Sequence, residues 1–265
     1  HIFVNEAGAI ECTGHKIITV PACEGKLKAD QIESVLKQHK DEHTVKPKLV
    51  YISNPTELGT VYNKSELLEL RKVCNENRLF LFVDGARLAS AMASKANDIS
   101  LYEFSCLVDS FYIGGTKNGA LLGEALVICN ENLKEDFRYH IKQKGALLAK
   151  SRILGIQFAE LFRDDLYMDL ARHANEMATL LKKGLTELDY QFLVDSPSNQ
   201  LFPIFPEEEI EQLKNDFLFY NWEKVDDKHS AIRLITSWAT KKEEVLRFLE
   251  VVSKINKKCS VSHRL

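Results

Sequence analysis

Val108-Asp109-Ser110-Phe111-Tyr112-Ile113-Gly114-Gly115-Thr116-Lys117-Asn118-Gly119 reads as a buried strand running into a glycine-rich turn that holds one lysine. Phe111, Tyr112 and Ile113 are aromatic or β-branched and suit a strand. Gly114-Gly115 ends it, because glycine permits close approaches and backbone conformations that other residues resist, and Gly119 repeats that freedom on the far side. Lys117 is thereby placed on a tight turn near a strand end. Partial burial there favours the neutral amine, a nucleophile toward carbonyls. A solvated loop lysine is the other reading of the same stretch.

Upstream stands Leu79-Phe80-Leu81-Phe82-Val83-Asp84-Gly85-Ala86-Arg87. Its first five residues are apolar without alternation, the pattern of a strand buried on both faces of a parallel sheet. The run ends in Asp84, and Gly85-Ala86 open a helical pattern carrying Arg87. A carboxylate so placed is costly unless a cationic group meets it. The carboxyl ends of strands are also where open α/β sheets bind ligands. Asp84 and Lys117 therefore fall at comparable ends of two predicted strands.

Phe82-Val83-Asp84-Gly85-Ala86-Arg87-Leu88 followed by Phe111-Tyr112-Ile113-Gly114-Gly115-Thr116-Lys117-Asn118-Gly119 resembles the threonine aldolase and β-eliminating lyase group of pyridoxal-phosphate enzymes, within the aspartate-aminotransferase-like fold. The likeness runs from His1 to about residue 255. It implies pyridoxal 5'-phosphate as cofactor, held as a Schiff base on Lys117. Asp84 is then the acid that keeps the ring nitrogen protonated, and Arg87 lies near the ring hydroxyl or the substrate carboxylate. His1 matches the histidine that stacks on the ring. Arg233 interrupts the apolar run Ile232-Arg233-Leu234-Ile235-Thr236-Ser237-Trp238 and needs a bidentate acceptor. By resemblance that acceptor is the substrate α-carboxylate; a salt bridge to a neighbouring acid is the alternative. No metal site is implied.

The implied activity is cleavage of a β-hydroxy-α-amino acid of the threonine or allo-threonine type to glycine and an aldehyde, in a homodimer or homotetramer. β-Elimination on the same cofactor is the near alternative. One turn departs from the pattern: close after Asn54 the group carries a histidine, whereas Pro55, Thr56 and Glu57 stand here. Glu57 is open to two readings, an exposed turn residue or a replacement base. The group also carries a segment ahead of the histidine, with a Gly/Thr-rich loop for the cofactor phosphate. The chain opens on His1 without a methionine, so the resemblance implies a start in mid-sequence and weak cofactor binding, without activity, by this stretch alone. A nicotinamide-dependent oxidoreductase would share the alternation of strands and helices but needs a Gly-x-Gly-x-x-Gly after a strand, and none occurs.

Composition sets broader bounds. The chain has 265 residues, enough for a large core, and a net charge of −3, which gives no reason to expect nucleic acid or anionic lipid as a partner. Cysteines at 12, 23, 74, 106, 129 and 259 form no Cys-x-x-Cys and read as reduced core residues of a cytoplasmic chain. No apolar run reaches membrane-spanning length and no signal peptide is visible. Patterning predicts strands over 16–20, 48–53, 79–84, 108–113 and 124–129. Helices are predicted over 30–39, 65–77, from 87, over 100–106, and through much of 133–162. This is a doubly wound, mostly parallel α/β large domain over 1–163. A long amphipathic helix over 164–188, strands near 191–194, 201–205 and 232–236, and helices from 206 and 241 make a smaller α+β domain over 164–265, ending in a loose tail from 254.

Overall fold

The apolar runs between predicted helices pair with one another. In the structure, a computed structural model that describes residues 1–262 with side chains through 257, β1 (Leu49–Ser53), β2 (Phe80–Asp84), β3 (Ser110–Ile113) and β4 (Ala125–Ile128) form one sheet in that order. The β1–β2 and β2–β3 pairings are parallel and β3–β4 is antiparallel. Parallel neighbours need crossovers, which the helices supply. α1 (Ala29–Gln38) precedes β1, and α2 (Lys64–Asn77) runs from β1 to β2. α3 (Leu88–Met92) and α4 (Leu101–Leu107) lead from β2 to β3. Asn63 caps α2, its side chain accepting from Glu66 N while Glu66 reaches back.

The β2 run is not equally buried on its two faces. Leu81 and Val83 are fully buried, whereas Phe80, Phe82 and Asp84 are half-buried. Tyr51, Phe82 and Tyr112 line up across three strands, with ring centroids 5.6 Å and 6.0 Å apart. This aromatic row covers the half-buried face and ends beside Asp84, which explains a continuous apolar run without full burial of both faces.

α5 (Phe137–Gln143) and α6 (Arg152–Leu161) lead to the long α7 (Leu166–Glu187). Its first turns give Tyr167 and Ala171 to the core under the parallel sheet, and Met177, Ala178, Leu181 and Leu185 join a second core. That second core packs against β5 (Gln200–Leu201), β6 (Ile204–Pro206), α8 (Glu207–Leu213), β7 (Tyr220–Lys224), β8 (His229–Ile235) and α9 (Lys242–Ser262). β8 is central to an antiparallel sheet, pairing with β5, β6 and β7. The boundary read at 163/164 falls in the 3-10 turn Arg163–Asp165 ahead of α7.

Some expectations fail. Residues 16–20 form no strand, because no neighbouring strand takes up their backbone groups. Residues 191–194 give only one bridge, Phe192 to Pro203. α9 continues through Ser262 rather than fraying at 254; residues 263–265 lie outside the described part. Of the described cysteines Cys74 is buried and the half-buried Cys129 packs against the same core, whereas Cys12, Cys23 and Cys106 are exposed, so the core reading holds for two of the five. No helix among the described residues is long and apolar enough to cross a membrane.

Candidate active site

Adjacent parallel strands deliver the two residues singled out first. Asp84 closes β2, and Lys117 sits in the 3-10 turn Thr116–Asn118 just beyond β3. Glycine makes the closeness possible: a Cβ on Gly85 would meet Tyr112 O at 1.8 Å, and one on Gly114 would meet Ala86 O at 2.2 Å. The lysine turn is anchored from outside. Asn118 Nδ2 donates to Tyr167 O at 2.8 Å, Tyr167 Oη donates to Gly114 O at 3.0 Å, and Gly115 N donates to the Glu124 carboxylate.

Asp84 is met first by neutral donors. Its Oδ1 accepts from Ala86 N at 2.9 Å, and its Oδ2 accepts from the Tyr51 hydroxyl. Burial first, and hydrogen bonding to Asp84 second, push the pKa of both Tyr51 and Tyr112 far up, so both hydroxyls keep their protons. Cations stand further off. Lys117 is exposed as a residue, yet partial desolvation of its ammonium lowers its pKa. Desolvation is the largest cause and the Arg87 charge the next, with Asp84, Glu124 and Glu57 opposing.

Arg87 and Arg233 converge on the same place from different parts of the chain. Arg87 is half-buried just before α3, and its pKa is lowered to about 10 by burial first and by the Arg233 charge second. It makes no ion pair or side-chain hydrogen bond among the described residues. Arg233, on β8, has its guanidinium 5.2 Å from the Trp222 ring centre, and one Nη donates to the buried Gln200 Oε1. Its Nε is buried and unpartnered. The salt-bridge alternative for Arg233 therefore finds no acid among the described residues. Asn54, at the end of β1, likewise has a buried and unpartnered Nδ2, while its Oδ1 accepts from Tyr62 N at 3.2 Å. Half-buried guanidinium groups without a carboxylate, beside an orphaned amide donor, are arranged to take up an anionic, hydrogen-bonding ligand.

Asp84, Arg87, Lys117 and Arg233 are thus brought together. His1 lies at the rim, exposed, with Nδ1 2.5 Å from Glu6 Oε1 and its amino nitrogen 3.5 Å from Glu57 Oε1. Sequence reading missed Tyr51, Tyr112, Asn54 and Gln200. For the tyrosines a signal existed: Phe82 shares strand parity with Asp84, and Tyr51 faces Phe82 in register. Gln200 carries no local signal.

The chain is similar to known proteins in sequence and in fold. Residues 1–205 match the model of the beta-eliminating lyase family. The low specificity L-threonine aldolase of Pseudomonas aeruginosa is 32% identical over 249 residues, covering 92% of this chain and 71% of that protein. A solved structure of the Leishmania major threonine aldolase is 50% identical with a TM-score of 0.94, covering 97% of this chain and 75% of that one. A PLP-dependent aminotransferase from Streptococcus suis, 18% identical, has a TM-score of 0.61 over 86% of this chain and 61% of its own, a likeness of fold. With that match spanning the parallel sheet, its lysine turn and the start of the second core, the chain belongs to the beta-eliminating lyase family.

Proposed function

We propose that the protein is a pyridoxal-phosphate-dependent aldolase that cleaves a β-hydroxy-α-amino acid of the threonine type to glycine and an aldehyde. The observation that carries this reading is the meeting of Asp84 and Lys117 at adjacent strand ends, in a chain half identical to a threonine aldolase of known structure.

The residues present fit the cofactor. Lys117 Nζ, whose pKa is lowered chiefly by desolvation, would hold the cofactor through its aldehyde. Asp84, met here by neutral donors, would be available to hold a proton on the ring nitrogen. The orphaned Asn54 Nδ2 is a donor for an oxygen on the ring. When bound, the cofactor supplies an electron sink for the pair left at Cα.

The remaining groups bind and orient the amino acid. Arg233 has Nε free and Trp222 beneath its guanidinium, and it holds the α-carboxylate. Arg87 adds a second positive charge on the same side. Fixing the carboxylate also fixes which bond at Cα is set for cleavage, an orientation effect. A homodimer or homotetramer belongs to this reading through the family resemblance.

The test is product identity. Threonine incubated with the protein and pyridoxal phosphate should give glycine and acetaldehyde in equal amounts. Release of ammonia and a 2-oxo acid instead would replace aldol cleavage by β-elimination.

A further inference from the structure

The turn after β1 holds out one ionisable side chain. Asn54, Pro55, Thr56, Gly59 and Thr60 are all buried. Thr56 N donates to Thr60 O at 2.8 Å, Gly59 N donates to Thr56 O at 2.9 Å, and Gln200 Nε2 donates to Thr56 O at 3.3 Å. Gly59 has φ of +78°, and a Cβ there would fall 2.3 Å from Ser196 Oγ. The loop is therefore fitted against the second half of the molecule, and Glu57 stands on a fixed base with a side chain 37% exposed.

Site groups face Glu57 from four elements. Its charge opposes the lowering of the Arg87, Arg233 and Lys117 pKa values, and it adds to the raising of Tyr51. The His1 amino nitrogen is the one group within ion-pair distance among the described residues. The other carboxylates felt by Lys117 are already engaged: Asp84 accepts from Ala86 N and Tyr51, and Glu124 accepts from Gly115 N. Glu57 accepts no hydrogen bond from a side chain or peptide amide among the described residues. Its backbone neighbour Thr56 is tied to Arg233 through Gln200, whose Nε2 donates to Thr56 O while its Oε1 accepts from the guanidinium.

We propose that Glu57 is the proton acceptor for the substrate β-hydroxyl, an inference that rests on the aldolase reading above. The hydroxyl proton passes to a Glu57 carboxylate oxygen. The O–H electron pair becomes the second bond of the aldehyde C=O, the Cα–Cβ bond breaks, and its pair stays at Cα, drawn toward the bound cofactor. The proton count closes when Cα takes one proton and Glu57 gives one up.

Glu57→Gln keeps the shape and removes the acceptor, and Glu57→Asp keeps the acceptor. With the cofactor-loaded protein, threonine cleavage by Glu57→Gln should fall about 100- to 1,000-fold, in the range for loss of a general base. Exchange of the glycine α-proton with solvent, which involves no β-hydroxyl, should stay within a few-fold of wild type. Glu57→Asp should recover part of the rate. In the cofactor-free protein, the pH midpoint for acylating Lys117 should drop in Glu57→Gln, because a negative neighbour has been removed. Cleavage at the wild-type rate, exchange falling in step with cleavage, or an unmoved Lys117 midpoint would each overturn the proposal. A wild-type protein that exchanges the glycine proton but releases no aldehyde overturns the aldolase reading, and the role of Glu57 with it.

Discussion

The backbone N–H of Gly114 donates to the carbonyl of Gly85 across 2.9 Å. That bond joins the turn leaving Asp84 to the turn approaching Lys117, with no side chain between them. The spacing of acid and lysine is thus set by backbone contact rather than by rotamers, which suits a site that needs its groups held in place before a ligand arrives.

The first prediction follows from that contact. Gly114→Ala puts a Cβ 2.2 Å from Ala86 O and 2.6 Å from Ala86 C, and neither is the end of a flexible side chain. The two turns must separate. Stability should fall by about 1–3 kcal/mol, as for an overpacked core, and pyridoxal-phosphate affinity should fall further than stability does. Denaturant unfolding and cofactor titration measure the two separately. A variant with unchanged cofactor affinity would break the link between this contact and the site.

Lys117→Ala should abolish covalent capture. After borohydride reduction of the wild type with pyridoxal phosphate, mass spectrometry should find the cofactor on the peptide bearing Lys117. The variant should carry none, and its visible absorbance band should be missing. A label on another lysine in the wild type would remove Lys117 from this role.

How far the sequence reached depended on whether the signal was local. The runs ending at Asp84 and Ile113 were legible because they are rich in aromatic and branched apolar residues and glycine follows each. The parallel sheet followed from them. Residues 16–20 offer Ile17, Ile18 and Val20, but a strand also needs a neighbour, and pairing is not written in five residues. Tyr220–Lys224 is mostly exposed and rich in polar residues, so this strand at the edge of β8 gave little signal. Arg233 stood out as a charge in an apolar run, but its partner Gln200 lies 33 residues away with no pattern linking them. Glu57 read first as an exposed turn residue and only second as a replacement base, because its surroundings, Arg87, Arg233 and Lys117, come from three other parts of the chain.

Arg87 should act on Lys117 through charge. A positive neighbour favours the neutral amine, and Arg87 is the second cause of the lowered Lys117 pKa. Arg87→Met removes that charge, so the Lys117 pKa should rise and capture of pyridoxal phosphate should move to higher pH. This is opposite in sign to the Glu57→Gln shift. The pH midpoint of the capture rate checks it, and a midpoint that stays put or moves down counts against the arrangement.

Arg233→Ala should weaken binding of every amino acid by about 2–4 kcal/mol, the cost of losing a buried charged contact. The KM for threonine should rise steeply while cofactor capture is unaffected. In the wild type, amino acid amides should bind far more weakly than the acids. Equal binding of acid and amide would show that Arg233 does not read the carboxylate.

The last prediction concerns the other end of β3, where Asp109 is held for structure. Arg71 Nη1, Leu81 N and Asn130 Nδ2 each donate to its carboxylate at 2.7 Å. Burial by itself raises the carboxyl pKa, but the Arg71, Asn130 and Leu81 hydrogen bonds and the Arg71 charge together bring it below the ordinary 3.8. A depressed folded pKa means that the ionised form stabilises the fold. That contribution is fully present above the ordinary value and fades as pH falls through the lower folded one. Asp109→Ala also strands the Arg71 guanidinium, whose side chain is only 15% exposed. Loss of one partner from a buried pair costs about 3–5 kcal/mol. Denaturant unfolding should show that loss near neutral pH and a smaller difference from wild type once the pH is taken below the ordinary carboxylate value of 3.8. Glycine proton exchange, measured well below the variant's melting temperature, should stay within a few-fold of wild type, because no described contact joins Asp109 to Asp84 or Lys117. A variant as stable as wild type at neutral pH would mean that Arg71 finds another acceptor and that this end of the strand needs no anchor.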